Sequence, residues 1–96
     1  MAVQKLSEKG LATALKGLPG WTVVDGKLSR AFEFKDFSEA FAFMTRVAMA
    51  AEAMNHHPDW SNSWNRVKIE LVTHSAGGIT PNDIDLARHI SQVSNS

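Results

Sequence analysis

Cysteine is absent from the 96 residues, which excludes disulfides, thiolate nucleophiles and cysteine-rich zinc or iron–sulfur sites, and is compatible with a reducing compartment. A prevailing sign of charge is missing too: ten Lys and Arg balance ten Asp and Glu. With no basic stripe interleaved with aromatic residues, nothing in the chain attracts a polyanion, and direct nucleic-acid binding is not expected. Long apolar runs are lacking. The most apolar stretch, Phe37 to Met54, is broken by Glu39, Arg46 and Glu52, so it reads as a core helix and not a membrane span. The opening MAVQKLSEKG is polar and is no secretory signal, so a cytoplasmic location is expected. There are no repeats, low-complexity tracts or linkers. What is present, 44% apolar and 21% charged residues, is ordinary globular composition, and the length predicts one domain over residues 1–96.

Local signals give an order of elements. Ser7 reads as an N-cap, with Leu6 and Leu11 as an apolar staple and Leu15 and Leu18 continuing the helical spacing to a stop near Gly17 and Pro19-Gly20. Trp21 to Val24 and Leu28 to Phe34 flank the turn signal Asp25-Gly26, and together predict a β-hairpin with Leu28, Phe32 and Phe34 on one face. Asp36 and Glu39 form a capping-box pattern before a long amphipathic helix through Phe37, Phe41, Met44, Val47 and Ala51. That helix ends near Asn55, because Pro58 disfavours helical geometry at His57, and a turn at His56 to Asp59 follows. Asn65 to Thr73 alternates as a half-buried strand, with Val67, Ile69 and Leu71 on one side. After Ala76-Gly77-Gly78, Thr80-Pro81-Asn82-Asp83 caps a last helix running to about Val93. The fold class is therefore α+β, an antiparallel sheet of three to four strands with two to three helices packed on one face. So small a sheet has free edges, which predicts a homo-oligomer.

Three of the four histidines, His56, His57 and His74, fall just outside regular elements, where binding and catalytic groups concentrate. A histidine pair before a proline is commonly a solvated turn, but parity puts His74 with Arg66, Lys68 and Glu70, so it is not core filler. Glu52 stands four residues before His56 and is expected to reach that imidazole if the helix continues one more turn. Asp83 acts as a helix cap whatever else it does. Trp60 and Trp64 are open to core, interface or ligand-stacking roles, and His89 reads as an ordinary helix residue.

The series Glu52-x3-His56-His57-Pro58, followed by Trp64, His74 and Asp83, resembles the signature of the pterin-4a-carbinolamine dehydratase family. The run HHPDWSNSWNRVKIELVTHSAGGITPNDIDLA is similar to that family throughout. The resemblance implies dehydration of 4a-hydroxytetrahydrobiopterin, or a related pterin carbinolamine, to quinonoid dihydropterin and water, in support of tetrahydrobiopterin recycling. Carried over by position, it makes His56, His57 and His74 catalytic and pterin-contacting, supported by Glu52 and Asp83. Asn55 and Val72 to Thr73 would line the pterin. Asn55 and Val72 stand where the family often has an acid and a serine, so their contacts are expected from the backbone. It further implies a homodimer or homotetramer, a functional link to an aromatic amino acid hydroxylase, and no cofactor or metal. Histidine, with a pKa near 6.5, suits this chemistry, which needs one proton delivered to the leaving hydroxyl and one removed from N5. Which histidine is acid and which is base stays open.

Two other readings compete. Three histidines and a glutamate are a conceivable zinc set, but adjacent His56 and His57 diverge on most backbones and HxxxH or HxH spacing is missing. A non-catalytic interaction module is the other, since animal relatives also serve as dimerisation cofactors for a transcription factor. Retention of all three histidines favours the enzyme.

Overall fold

A computed structural model describes residues 3–95. Its elements run α1 (Glu8–Leu15), β1 (Thr22–Val24), β2 (Lys27–Glu33), α2 (Phe37–Met54), β3 (Asp59–Ser63), β4 (Arg66–Leu71), a 3₁₀ turn at His74–Ala76, and α3 (Pro81–Ser94). The caps explain the helix starts. The Ser7 side chain accepts from Gly10 N–H, the Asp36 side chain from Glu39 N–H, and Thr80 with Asp83 makes a full capping box behind Pro81. The second box is incomplete: Glu39 Oε1 accepts from Lys35 N–H at 3.3 Å and not from Asp36.

The four strands form one antiparallel sheet in the order β1-β2-β4-β3. Asp25 and Gly26, both at positive φ (52° and 76°), join β1 to β2 as the two-residue hairpin turn their sequence signals. Register puts Leu28, Arg30 and Phe32 opposite Leu71, Ile69 and Val67, on the face that the helices cover. Ser29, Ala31 and Glu33 pair with Glu70, Lys68 and Arg66 on the other face. Helix α2 turns Ala40, Phe43, Val47 and Ala51 inward, and α3 contributes Ile84, Leu86, Ala87 and Ile90. Leu71 is fully buried in this core at the end of β4. Leu71→Ala is expected to cost about 2–5 kcal/mol through lost burial and a residual cavity, measured as a lower urea midpoint at unchanged slope.

Two boundaries differ from the sequence pattern. Residues 59–63, of which Asp59 was expected in a turn, form strand β3, paired with β4 through Trp60↔Ile69 and Asn62↔Val67. As an edge strand β3 needs one apolar side chain, Trp60, against the core, and its small polar residues hide the period-2 signal. The strand expected over Asn65 to Thr73 extends only over Arg66–Leu71, and Thr73 makes an isolated bridge to Gly78 instead.

Candidate active site: a circuit of histidines and carboxylates

The site begins where α2 stops. Asn55 takes the left-handed conformation (φ 50°, ψ 42°) as the C-cap of α2, a conformation asparagine tolerates better than most residues. The chain therefore turns away from the helix, and His56 and His57 separate. His56 crosses to α3, where its Nε2 lies 2.5 Å from Asp83 Oδ1. The exposed His57 returns over the last turn of α2, its Nε2 2.7 Å from Glu52 Oε1. The carboxylate of Glu52 thus serves His57, not His56 as its spacing predicts, because the reversal at Asn55 breaks the helical continuation on which that spacing depends.

Asp83 is fully buried, and every oxygen of its carboxylate is used. Oδ1 faces His56, while Oδ2 accepts from the Thr73 hydroxyl at 2.9 Å and from Thr80 N–H at 2.9 Å. With Asp83 ionised its carboxylate only accepts, so His56 Nε2 carries the proton and Nδ1 is the nitrogen left for other work. The single hydroxyl proton of Thr73 goes to Asp83, so in the 2.8 Å contact between Thr73 Oγ1 and Thr80 Oγ1 the Thr80 hydroxyl is the donor. The result is a directed chain from Thr80 to Thr73 to Asp83, with the carboxylate in the first turn of α3, where the helix dipole favours negative charge. Among the described residues no buried side-chain nitrogen or oxygen lacks a partner. Thr80→Val deletes both the cap and the donor to Thr73 and is expected to cost about 1–3 kcal/mol, with Thr80→Ser restoring most of it in urea unfolding.

Thr73 and His74 are neighbours at the β4 end but face opposite ways. Thr73 is buried toward Asp83; His74 is 77% exposed, and its Nε2 stands 3.6 Å from Asp59 Oδ2. Asp59 is opposite Glu70 on the uncovered side of the sheet. The circuit then closes through His56, His57, Pro58 and Asp59, across to His74, through Thr73 to Asp83, and back to His56. Of the residues named from sequence, His56, His57, His74, Glu52, Thr73 and Asp83 belong to this circuit or touch it. Asn55 shapes it through the backbone, and Val72 is a half-buried strand-end residue between Leu71 and Thr73. Asp59 and Thr80 were not among the expected site residues. Asp59 sits only two residues after His57, but its role depends on the β3–β4 pairing. Trp60 packs at the core margin, whereas Trp64, at φ 50° in the β3–β4 turn, is 64% exposed. Among the described residues no group of three or more His, Cys, Asp and Glu side chains is arranged to hold a metal ion, and no helix is long and apolar enough to cross a membrane.

Fold and site define a class: a small α+β protein that holds imidazoles at element ends, each with a carboxylate partner, an arrangement suited to moving protons. The family model described as pterin 4 alpha carbinolamine dehydratase matches residues 4–93, and the chain belongs to that family, whose named members are hydro-lyases. It is 64% identical over 76 residues to a Synechococcus sp. (strain WH7803) protein provisionally named pterin-4-alpha-carbinolamine dehydratase, covering 79% of this chain and 82% of the relative. A Solibacter usitatus (strain Ellin6076) protein with the same provisional name is 53% identical over 89 residues, 93% of this chain and 94% of its own. The crystal structure of a transcriptional coactivator/pterin dehydratase from Brucella melitensis superposes with a TM-score of 0.91 at 45% identity, covering 95% of this chain and 99% of that one.

Proposed function

We propose that this chain, as one domain, dehydrates 4a-hydroxytetrahydrobiopterin or a closely related pterin carbinolamine to quinonoid dihydropterin and water, by histidine acid and base catalysis that supports tetrahydrobiopterin recycling. The observation that carries this reading is the circuit itself. Three imidazoles stand at one junction of α2, β3, β4 and α3, each within reach of its own carboxylate. Loss of the 4a-hydroxyl breaks a C–O bond. The departing oxygen takes one proton and leaves as water, while the N5 proton is lost as the C4a–N5 double bond forms. One imidazole as donor and another as acceptor therefore balance the reaction with no redox partner.

His56 is the fixed member, its orientation set by Asp83, Thr73 and Thr80. His57 and His74 are open to solvent, where a pterin carbinolamine can approach them. In this reading Asn55 and the Val72 to Thr73 segment supply backbone groups to the pterin ring. The free sheet edges and the exposed Phe37, Phe41 and Met49 of α2 support a homodimer or homotetramer, checked by sedimentation velocity. A cytoplasmic partner hydroxylase acting on aromatic amino acids would supply the carbinolamine.

The test is stopped-flow absorbance of quinonoid dihydropterin formation from freshly generated carbinolamine. Catalytic amounts of protein are expected to accelerate it well above the buffer rate. A folded protein that leaves the rate unchanged overturns the proposal and favours a binding role for the fold.

A further inference from the structure

A concavity lined by charged groups lies away from His56, His57 and His74, between the end of α1, strand β2 and the C-terminal half of α3. It encloses about 470 Å³ and is lined by Leu18, Pro19, Arg30, Arg88, Ser91 and Asn95, among others, with no carboxylate in its wall. Ser91 stands eight residues beyond Asp83, about 12 Å along the helix.

Arg30 is the informative residue. It comes from the helix-covered face of the sheet and is half-buried. Its Nη1 donates to Ser91 Oγ at 3.1 Å, and its guanidinium carbon lies 4.4 Å from the centre of the Phe32 ring. The Gly20 backbone presses so close that a Cβ there would stand 2.9 Å from Arg30 Nε. Burial pulls the Arg30 pKa below its usual value, yet among the described residues no carboxylate pairs with this cation. A half-buried, rigidly held charge balanced only by a ring face and a hydroxyl is costly, and an incoming anion offsets that cost. Ser91 Oγ also accepts from Trp21 Nε1 at 2.9 Å. With two donors aimed at its oxygen, its own proton has no acceptor among the described residues. Arg88 adds a second guanidinium, engaged among the described residues by an exposed 3.3 Å contact to Asp85 one turn earlier, a pair weak enough to exchange.

We infer that this cleft is a binding site for a small oxyanion, either free phosphate or the phosphate of a phosphomonoester, held by the forks of Arg30 and Arg88 with the Ser91 hydroxyl. Planar guanidinium groups match phosphate oxygens in pairs, and the wall offers donors without a competing carboxylate. This goes beyond the dehydratase reading and does not depend on it.

The test is a ¹H–¹⁵N NMR titration with inorganic phosphate, and in parallel with phenyl phosphate, against chloride at equal ionic strength. Saturable shifts centred on the Trp21 indole N–H and on Ser91 are expected, with a dissociation constant on the order of millimolar. Arg88→Ala, at an exposed helix position, and Arg30→Lys, which keeps the charge but loses the fork, should each weaken binding by at least about tenfold. Tighter binding of phenyl phosphate points to a monoester, and equal or weaker binding to free phosphate. Shifts that never saturate, or saturable binding that both variants retain unchanged, would overturn the assignment.

Discussion

Asp83→Asn is expected to leave a folded protein that has lost dehydratase activity by about 10²–10⁴-fold, because it reverses the proton on His56. Three donors converge on the Asp83 carboxylate, two on Oδ2 and one on Oδ1. An amide supplies one acceptor and one donor, so one side of this arrangement must change. Placing the amide oxygen where Oδ2 was keeps the bonds from Thr73 and Thr80 and sets the amide nitrogen against His56. The opposite orientation opposes two donors with a third, so the first prevails. His56 Nε2 then has to accept, and its proton moves to Nδ1. Nδ1, the nitrogen that the proposed reaction would use as an acceptor, then carries hydrogen. Losing the charge in the first turn of α3 and the charge assistance of all three bonds, each of which keeps a partner, should cost about 1–3 kcal/mol, so inactivity would not reflect unfolding. Long-range ¹H–¹⁵N spectra of the imidazole give the tautomer, and stopped-flow absorbance gives the rate. A reversed tautomer with an undiminished rate would remove His56 from proton transfer.

Much of this architecture is legible locally. Ser7, Asp36 and Thr80 announce helix starts, and Asp25-Gly26 announces a hairpin, since each satisfies nearby backbone groups by itself. The seven-residue β2 and the six-residue β4 show their alternation because one side of each is core. Strand β3 is silent for the opposite reason: at the sheet edge it buries only part of Trp60, and polar residues fill the remaining positions. The site divides along the same line. His56, His57, His74 and Asp83 stand out by type and position, but their pairing is non-local. Whether Glu52 meets His56 or His57 is decided by one left-handed residue, Asn55, whose conformation no helical spacing foretells. Thr73 and Asp83 are linked because the strand end and the helix start meet in space, although each alone reads as a terminus. One architecture can host unrelated functions, so activity depends on the site and not on the fold alone.

His74→Ala should separate catalysis from stability more cleanly than any other change in the circuit. The side chain is 77% exposed and its contact with Asp59, at 3.6 Å, is longer than a hydrogen bond, so truncation opens no cavity and strands no buried group. Stability should stay within about 0.5 kcal/mol of the parent. If His74 passes a proton to or from the pterin, the dehydration rate falls by about 10²–10⁴-fold. Asp59→Asn tests whether its carboxylate matters beyond orientation. An exposed pair contributes at most about 1 kcal/mol, so that variant should retain the rate to within about tenfold. Added imidazole discriminates further: it should restore part of the rate in His74→Ala, whose vacated position is open to solvent, and little in His56→Ala, where the lost ring packed against the buried Asp83. Groups that act in one step are not additive, so the His56→Ala, His74→Ala double variant should be little slower than the worse single one. Strictly multiplicative losses would mean that the two histidines act in independent steps, while an unchanged rate in folded His74→Ala would confine the chemistry to His56 and His57.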